Sequence, residues 1–302
     1  MPESTLSSVG RRLHHLAAHP WLWARYLYER ELRGRDVLFR VNPRFAHWGP
    51  MYRVARPALA RLTGRPGAEL DGYFRELAPL HRELTDSVGG LPSAGAMMQA
   101  PLLYVLFRAS APRVVVETGV SSGYSARLVL EALERNGSGR LFSIGLRKLA
   151  VGTIDAASAA GLEGRPLGWL VPDRLRPRWE LRVGPSEELL EEVLAREARP
   201  LDAFVHDSLH VYERMHAEYE LAWPNLLPGG LLLSHDIHHN RAWPNLLRDH
   251  ALSGEEELDH DLGVVRVPSP PARLPAEATG GGPEVAPGSA GGRTTGPRTG
   301  FA

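Results

Sequence analysis

Four places in this 302-residue chain hold residue types that can do chemistry. The first is the run Glu117-Thr118-Gly119-Val120-Ser121-Ser122-Gly123-Tyr124-Ser125, which follows the apolar stretch Val114-Val115-Val116. Glycines let a backbone approach a ligand closely. A helix starting just after them offers N–H groups and a positive dipole end to an anion. A loop of this kind after the first strand of an α/β sheet is where nucleotide-like cofactors bind. The second place is Asp207-Ser208-Leu209-His210 and the third is Ser234-His235-Asp236. Asp207 and Asp236 each close an apolar run, so if those runs are neighbouring strands the two carboxylates converge on one divalent ion; magnesium prefers such oxygen ligands. A histidine near its ordinary pKa, such as His210, can take up a proton at neutral pH. The fourth is Ser186-Glu187, just past the run 179–183.

These groups need a frame. Apolar, β-branched runs bounded by turn residues predict strands at 113–117, 141–145, 179–183, 202–206, 230–234 and 263–267. A weaker, acidic candidate at 255–259 suits an exposed edge strand or no strand. Helix-period segments fall at 94–110, 126–133, 187–196 and 212–223. Alternating strands and helices predict a mostly parallel α/β sheet with helices on both faces. Residues 1–92 read as helices broken by Pro20, Pro43, Pro50, Pro57 and Pro66. The Gly89-Gly90-Leu91-Pro92 stretch marks a boundary, and residues 93–268 form the main domain. Residues 269–302, rich in Pro, Gly, Ser and Thr, read as a disordered tail. The hexapeptide Ala-Trp-Pro-Asn-Leu-Leu occurs at 222–227 and at 242–247 in different contexts, which argues local coincidence or packing rather than a repeat architecture.

Composition narrows the classes. The net charge of zero argues against a general polyanion binder, so no nucleic-acid partner is expected. The absence of cysteine excludes disulfides and thiolate metal sites. No apolar run approaches a membrane span, and Met1–Gly10 lacks a signal-peptide core, so the expected location is cytoplasmic. Residues 11–65 carry twelve arginines against Glu29, Glu31 and Asp36, interleaved with Trp21, Trp23, Tyr26, Tyr28 and Trp48. Such a segment can lie on a membrane or nucleic acid. The reading preferred here is a helical segment packed on the main domain or on a second subunit, with its arginines in water, which makes a homo-oligomer an expectation.

The loop does not carry the G-x-G-x-x-G dinucleotide fingerprint. Its E-x-G-x-x-x-G pattern resembles the first motif of class I S-adenosylmethionine-dependent methyltransferases, and E-T-G-V-S-S-G-Y-S-A is similar to the loop of catechol O-methyltransferase-like enzymes. The phrase H-D-S-L-H-x-Y-E, followed by A-W-P-x-L-x-P-G-G, resembles the macrocin-type sugar O-methyltransferases and cephalosporin-hydroxylase-like proteins of natural-product pathways. The resemblance spans about residues 93–268 and implies a Rossmann-like, seven-stranded methyltransferase fold. It implies cofactor contacts from Glu117, Gly119, Ser122, Gly123, Tyr124 and Ser125, with Gly119 beneath the cofactor and Ser125 meeting its methionine carboxylate. Ser186 and Glu187 would edge the purine, although Ser186 can equally cap the helix that follows. Met97 and Met98 would line the pocket or pack in the core. His210 would be the general base, Asp207 a catalytic and metal-binding carboxylate, and Asp236 and His235 further metal positions for magnesium or another divalent ion. The acceptor implied is a small-molecule hydroxyl, on a sugar or polyketide-type product, with residues 1–110 and 146–178 shaping its pocket.

Two positions depart from that pattern. The second strand ends in Gly145 where the family has an acid for the ribose hydroxyls, a lost charge-assisted hydrogen bond worth about 1.5–3 kcal/mol. His235 stands where the family has a carboxylate, and imidazole suits manganese, iron or zinc better than magnesium. These departures keep two alternatives open: a degenerate member that binds cofactor weakly and acts as a scaffold, and a metal-dependent hydrolase or oxygenase built on Asp207, His210, His235 and Asp236.

Overall fold

The structure, a computed structural model, describes residues 48–80, 83–84, 97, 99–146, 165–196, 198, 200–253, 255–259 and 261–269. The expectations for residues 1–47, Met98, most of the 146–178 loop up to residue 164, and the tail beyond 269 lie outside the described residues. Helices α1 (Trp48–Thr63), α2 (Gly67–Glu76) and α3 (Ala100–Ser110) lead into β1 (Val114–Thr118). Then come α4 (Tyr124–Arg135), β2 (Arg140–Gly145), a 3₁₀ turn at Asp173–Arg178, β3 (Trp179–Val183) and α5 (Ser186–Arg196). The chain continues through β4 (Leu201–His206), α6 (Tyr212–Ala222), β5 (Leu226–His235), α7 (Ala242–Asp249), β6 (Glu256–Asp259) and β7 (Leu262–Arg266).

The seven strands form one sheet in the order β3-β2-β1-β4-β5-β7-β6. The pairs from β3 to β5 are parallel, and β7 runs antiparallel to both β5 and β6. This is a Rossmann-like arrangement, mostly parallel with one antiparallel strand inserted next to the edge. Its central strands read as apolar runs because both faces are covered. Alternation of side chains along each strand divides the core in two. Val115, Leu141, Ala203, Val205, Leu231, Leu233 and Val264 pack with α1 to α4. Their neighbours Val116, Phe142, Phe204, Leu232 and Val265 pack with α5, α6 and α7.

The acidic segment 255–259 does form a strand, at the sheet edge, with Leu258 and Asp259 buried. Helix α1 covers it, and Arg61 makes a two-pronged ion pair with Glu256 (2.5 and 2.7 Å). Within the described part of the basic segment, Trp48 and Tyr52 are buried and Tyr52 stacks on Phe74 at 4.2 Å. Arg56 and the Tyr52 hydroxyl both hold Asp71.

Parallel order places the carboxyl ends of β1, β2, β3, β4 and β5 along one edge. The sheet order reverses between β1 and β4, so a crevice opens there. Gly119 is the tightest point of that edge. Its φ is +91°, and a Cβ there would overlap the carbonyl oxygen of Asp207 in the neighbouring strand end. Gly119→Ala should therefore lower stability by about 3 kcal/mol or more, since left-handed strain and a backbone clash add. Urea unfolding checks this; a cost under about 1 kcal/mol would mean the β1 and β4 ends are not held this closely.

Candidate functional site

Three of the four chemical groups named from the sequence meet at this edge. Helix α4 begins directly after Gly123, which is left-handed (φ +81°), and it has neither a capping side-chain hydrogen bond nor an acid in its first turn. Its positive end is thus left for an outside anion. The Ser122 hydroxyl is buried with no hydrogen-bond partner, a polar atom for which a ligand would supply the missing contact. Glu117 is buried beneath the loop, accepting from Ser143 (2.6 Å) and Ser125 (3.2 Å), while the Trp179 indole donates to Ser143 (2.7 Å). Burial pushes the Glu117 carboxyl up to about 8, against the pull of these two hydroxyls. Tyr124 is buried at the helix start.

The loop is roofed by residues 167–171. Gly168 and Leu170 donate backbone hydrogen bonds to the carbonyls of Ser121 (2.9 Å) and Ser122 (3.0 Å). Arg127, buried on α4, anchors this roof through the Leu170 carbonyl and pairs with Glu131 and Glu83. At the end of β2, a Cβ on Gly145 would lie 2.9 Å from Val120 Cγ2 and 3.1 Å from Leu167 Cδ2. The missing ribose acid is therefore more than a substitution: two apolar side chains occupy the space beside it.

The fourth group divides. Ser186 is not a cap but the first residue of α5, and its hydroxyl donates to Glu218 (2.5 Å). The ionised acceptor makes this a charge-assisted bond. Glu187 pairs with Arg214 at 2.6 Å. Met97 is fully buried, in the core cluster that holds α1 to α4.

Glu218, on α6, is the residue that sequence reasoning missed. It accepts from Thr118 of β1 (2.5 Å), Ser186 of α5 (2.5 Å), and His206 (2.7 Å) and Ser208 (2.8 Å) at the end of β4. Burial alone would raise its pKa, but His206 and the hydroxyl donors outweigh it and hold the carboxyl below its ordinary value. The signal was present: Glu218 interrupts the buried helical stripe of Met215, Tyr219 and Ala222. Ser143, inside the apolar strand β2, is a similar clue.

Beyond this hub lies the carboxylate–imidazole cluster. Asp207 Oδ1 is 3.0 Å from His235 Nδ1 and 3.7 Å from His210 Nε2. Asp236 faces the other ring nitrogens, with Oδ2 at 3.4 Å from His210 Nδ1 and Oδ1 at 3.7 Å from His235 Nε2. Asp236 is itself in the left-handed region at φ 55°. Asp207, His210 and His235 bring one ligand atom each within 4.8 Å of one another, a set that can hold a metal ion; Asp236, expected as a ligand, is outside it. Burial and the imidazoles of His206, His235 and His239 push His210 down to about 2. His235 moves the other way: the penalty of burial is exceeded by Asp207, Asp236 and Asp261, which raise it to about 9. Two imidazoles with one carboxylate fit a borderline divalent ion better than magnesium.

Comparison with known proteins follows the same line. Residues 116–237 match the family described as methyltransferase domain. No curated protein matches the chain. Among solved structures, an O-methyltransferase from Bacillus cereus in complex with SAH is 15% identical, with 66% of this chain and 91% of that chain covered and a TM-score of 0.42. The O-methyltransferase TomG from Streptomyces achromogenes, involved in tomaymycin synthesis, is 18% identical, covering 66% and 90%, with a TM-score of 0.39. A putative O-methyltransferase from Klebsiella pneumoniae is 14% identical, covering 65% and 99%, with a TM-score of 0.41.

Glu117 gives a pH test. Its folded pKa lies above its unfolded one, so the folded state binds the extra proton between about 4.5 and about 8. Its contribution to stability is full below that window and is lost as pH rises through it. Glu117→Gln cannot ionise, so its melting temperature should fall less than the parent's between about pH 5 and about pH 8. Equal slopes would show that Glu117 ionises as an exposed acid does.

The stretch that matches the methyltransferase domain model, residues 116–237, runs from β1 to just past the end of β5 and so carries the loop and strand ends described above.

Proposed function

We propose that this protein is an S-adenosylmethionine-dependent O-methyltransferase acting on a hydroxyl of a small molecule, of the sugar or polyketide type. The observation that carries the reading is a juxtaposition within the methyltransferase domain. A glycine loop with an uncapped helix start and an orphaned Ser122 hydroxyl sits beside the polar cluster at the ends of β4 and β5. Bound in the crevice, S-adenosylmethionine supplies an electrophilic methyl group. The chain's own contribution is to hold nucleophile and methyl in line, which accounts for much of the rate in such displacements. The Gly119–Gly123 backbone and the start of α4 take the cofactor's polar end. Buried Glu117 is placed to balance a nearby cationic group, ionising as that group arrives. Burial and the neighbouring imidazoles lower the affinity of His210 for a proton, and its ring lies among the carboxylates at the ends of β4 and β5.

One observation favours the second reading, a methyltransferase fold that holds its cofactor weakly. Val120 and Leu167 close over Gly145, where a ribose-binding acid would stand. Calorimetric titration with S-adenosylhomocysteine decides between the two. Saturable binding with a dissociation constant well below about 1 mM is expected; no heat at that concentration would leave the scaffold reading. If the closed β2 end is what weakens binding, Gly145→Asp combined with Val120→Ala and Leu167→Ala should tighten it about tenfold or more, as one charge-assisted hydrogen bond does. Gly145→Asp alone should gain less, because Val120 and Leu167 obstruct the new side chain.

A further inference from the structure

We infer, on the S-adenosylmethionine reading, that the nucleoside seat of this crevice does not distinguish the ribose hydroxyls. An apolar surface made by Val120, Leu146, Leu167 and Val183 takes the sugar by contact alone. A cofactor analogue that lacks both hydroxyls is therefore accepted as well as the complete nucleoside.

A nucleotide held at the switch point of an α/β sheet reaches from the glycine loop across the end of the second strand. An acid about 20 residues beyond the loop there accepts from the ribose. In this chain that place is Gly145, and the side chains around it are hydrocarbon. A Cβ on Gly145 would meet Val120 at 2.9 Å and Leu167 at 3.1 Å. Leu146 follows it in the chain, and Val183 is its register partner on β3. The backbone acceptors at this end are engaged as well. The Ile144 carbonyl takes the Gly119 N–H (2.9 Å), and the Gly145 carbonyl takes the Gly184 N–H (3.0 Å). Ser143, the one hydroxyl on β2, donates to Glu117 and accepts from Trp179. Leu146 and Val183 also stand open, at 42% and 52% exposure, two of the four large apolar side chains exposed among the described residues. Neighbouring exposed apolar groups beside a groove mark a surface with an occupant. Val120 joins this surface to the glycine loop, which makes the nucleoside that occupant. The consequence for selectivity is one-sided. A site that hydrogen-bonds a hydroxyl rejects the analogue without it, because its own buried polar group is left unpaired; an apolar surface has no such group and discriminates weakly. Burying a hydroxyl against hydrocarbon is costly, so the ribose hydroxyls face water, and removing them breaks no bond to the protein.

The test compares S-adenosylhomocysteine with its 2′,3′-dideoxy analogue by calorimetric titration of the full chain. The two dissociation constants are expected to lie within about threefold of each other. Leu146→Ala and Val183→Ala remove hydrocarbon and no polar side-chain atom, so each should weaken both nucleosides by the same factor, about threefold or more. Gly145→Asp with Val120→Ala and Leu167→Ala should create a preference for S-adenosylhomocysteine of about tenfold or more. Melting curves show which variants are folded. Should the triple variant not fold, the comparison on the unaltered chain decides by itself. A larger than about threefold preference of the unaltered chain for S-adenosylhomocysteine would overturn the inference, because a polar group would then be reading the ribose. So would a folded triple variant as indifferent as the parent, or Leu146→Ala and Val183→Ala proteins that bind both nucleosides as the parent does, since the sugar would then lie elsewhere. If the unaltered chain binds neither nucleoside, the S-adenosylmethionine reading itself falls. Binding with strong discrimination leaves that reading standing and removes the indifference to the hydroxyls alone.

Discussion

The active edge depends on one buried carboxylate. Glu218 gathers Thr118 from β1, Ser186 from α5, and His206 and Ser208 from either side of Asp207. Its ionised state is held by a ring and three hydroxyls, buried except for the half-buried Ser208, where such hydrogen bonds are strong and an unpaired member is expensive. The bond from His206 Nδ1 to an ionised carboxylate also sets the tautomer, with the proton on Nδ1. The ends of β1 and β4 are thus clamped on both sides of the crevice, and Asp207 is carried on a backbone whose two neighbours are tied to the same oxygen pair.

A second layer of constraint comes from the roof. Residues 167–171 are bonded to the loop carbonyls and anchored by Arg127, whose guanidinium is itself buried among Glu131, Glu83 and a carbonyl. This fixes the shape of the β2 side of the crevice. It also accounts for Gly145: with Val120 and Leu167 packed there, a side chain at that position has no room. Apolar packing fills the place where the resemblance implied an acid. At the other side, β5 ends in His235 where a carboxylate was expected. Both departures lie at strand ends on the same edge, and both change chemistry without disturbing the sheet.

Much of the frame was legible in the sequence because its signals are local. Val114–Val116 and the apolar runs at 202–206 and 231–233 mark strands that are buried on both faces, and such strands read as unbroken apolar runs. The glycine loop and the Asp207, His210, His235 and Asp236 cluster were legible for the same reason, as polar residues at the ends of those runs. What was not legible required distances between segments far apart in the chain. Glu218 becomes a hub only because α6 packs beneath the ends of β1 and β4. Ser186 turns from a helix cap into a donor because Glu218 lies within reach. Segment 255–259 becomes a strand only because β7 offers a partner and α1 a cover.

The hexapeptide Ala-Trp-Pro-Asn-Leu-Leu shows where that division falls. At 222–227 it ends α6, makes a 3₁₀ turn and enters β5; at 242–247 the same six residues lie wholly within α7. In the first copy Asn225 bonds back to the Leu221 carbonyl, and in the second Asn245 reaches the Tyr212 hydroxyl. The sequence by itself determined the period of each element, the turns between them and the residue types at the strand ends, since these follow from burial and backbone conformation over a few neighbours. The tertiary structure alone decided which ring nitrogen faces which carboxylate and which acid is shared by four donors. Those depend on the register of β4 against β1 and β5, a relation between segments that no short stretch of chain contains.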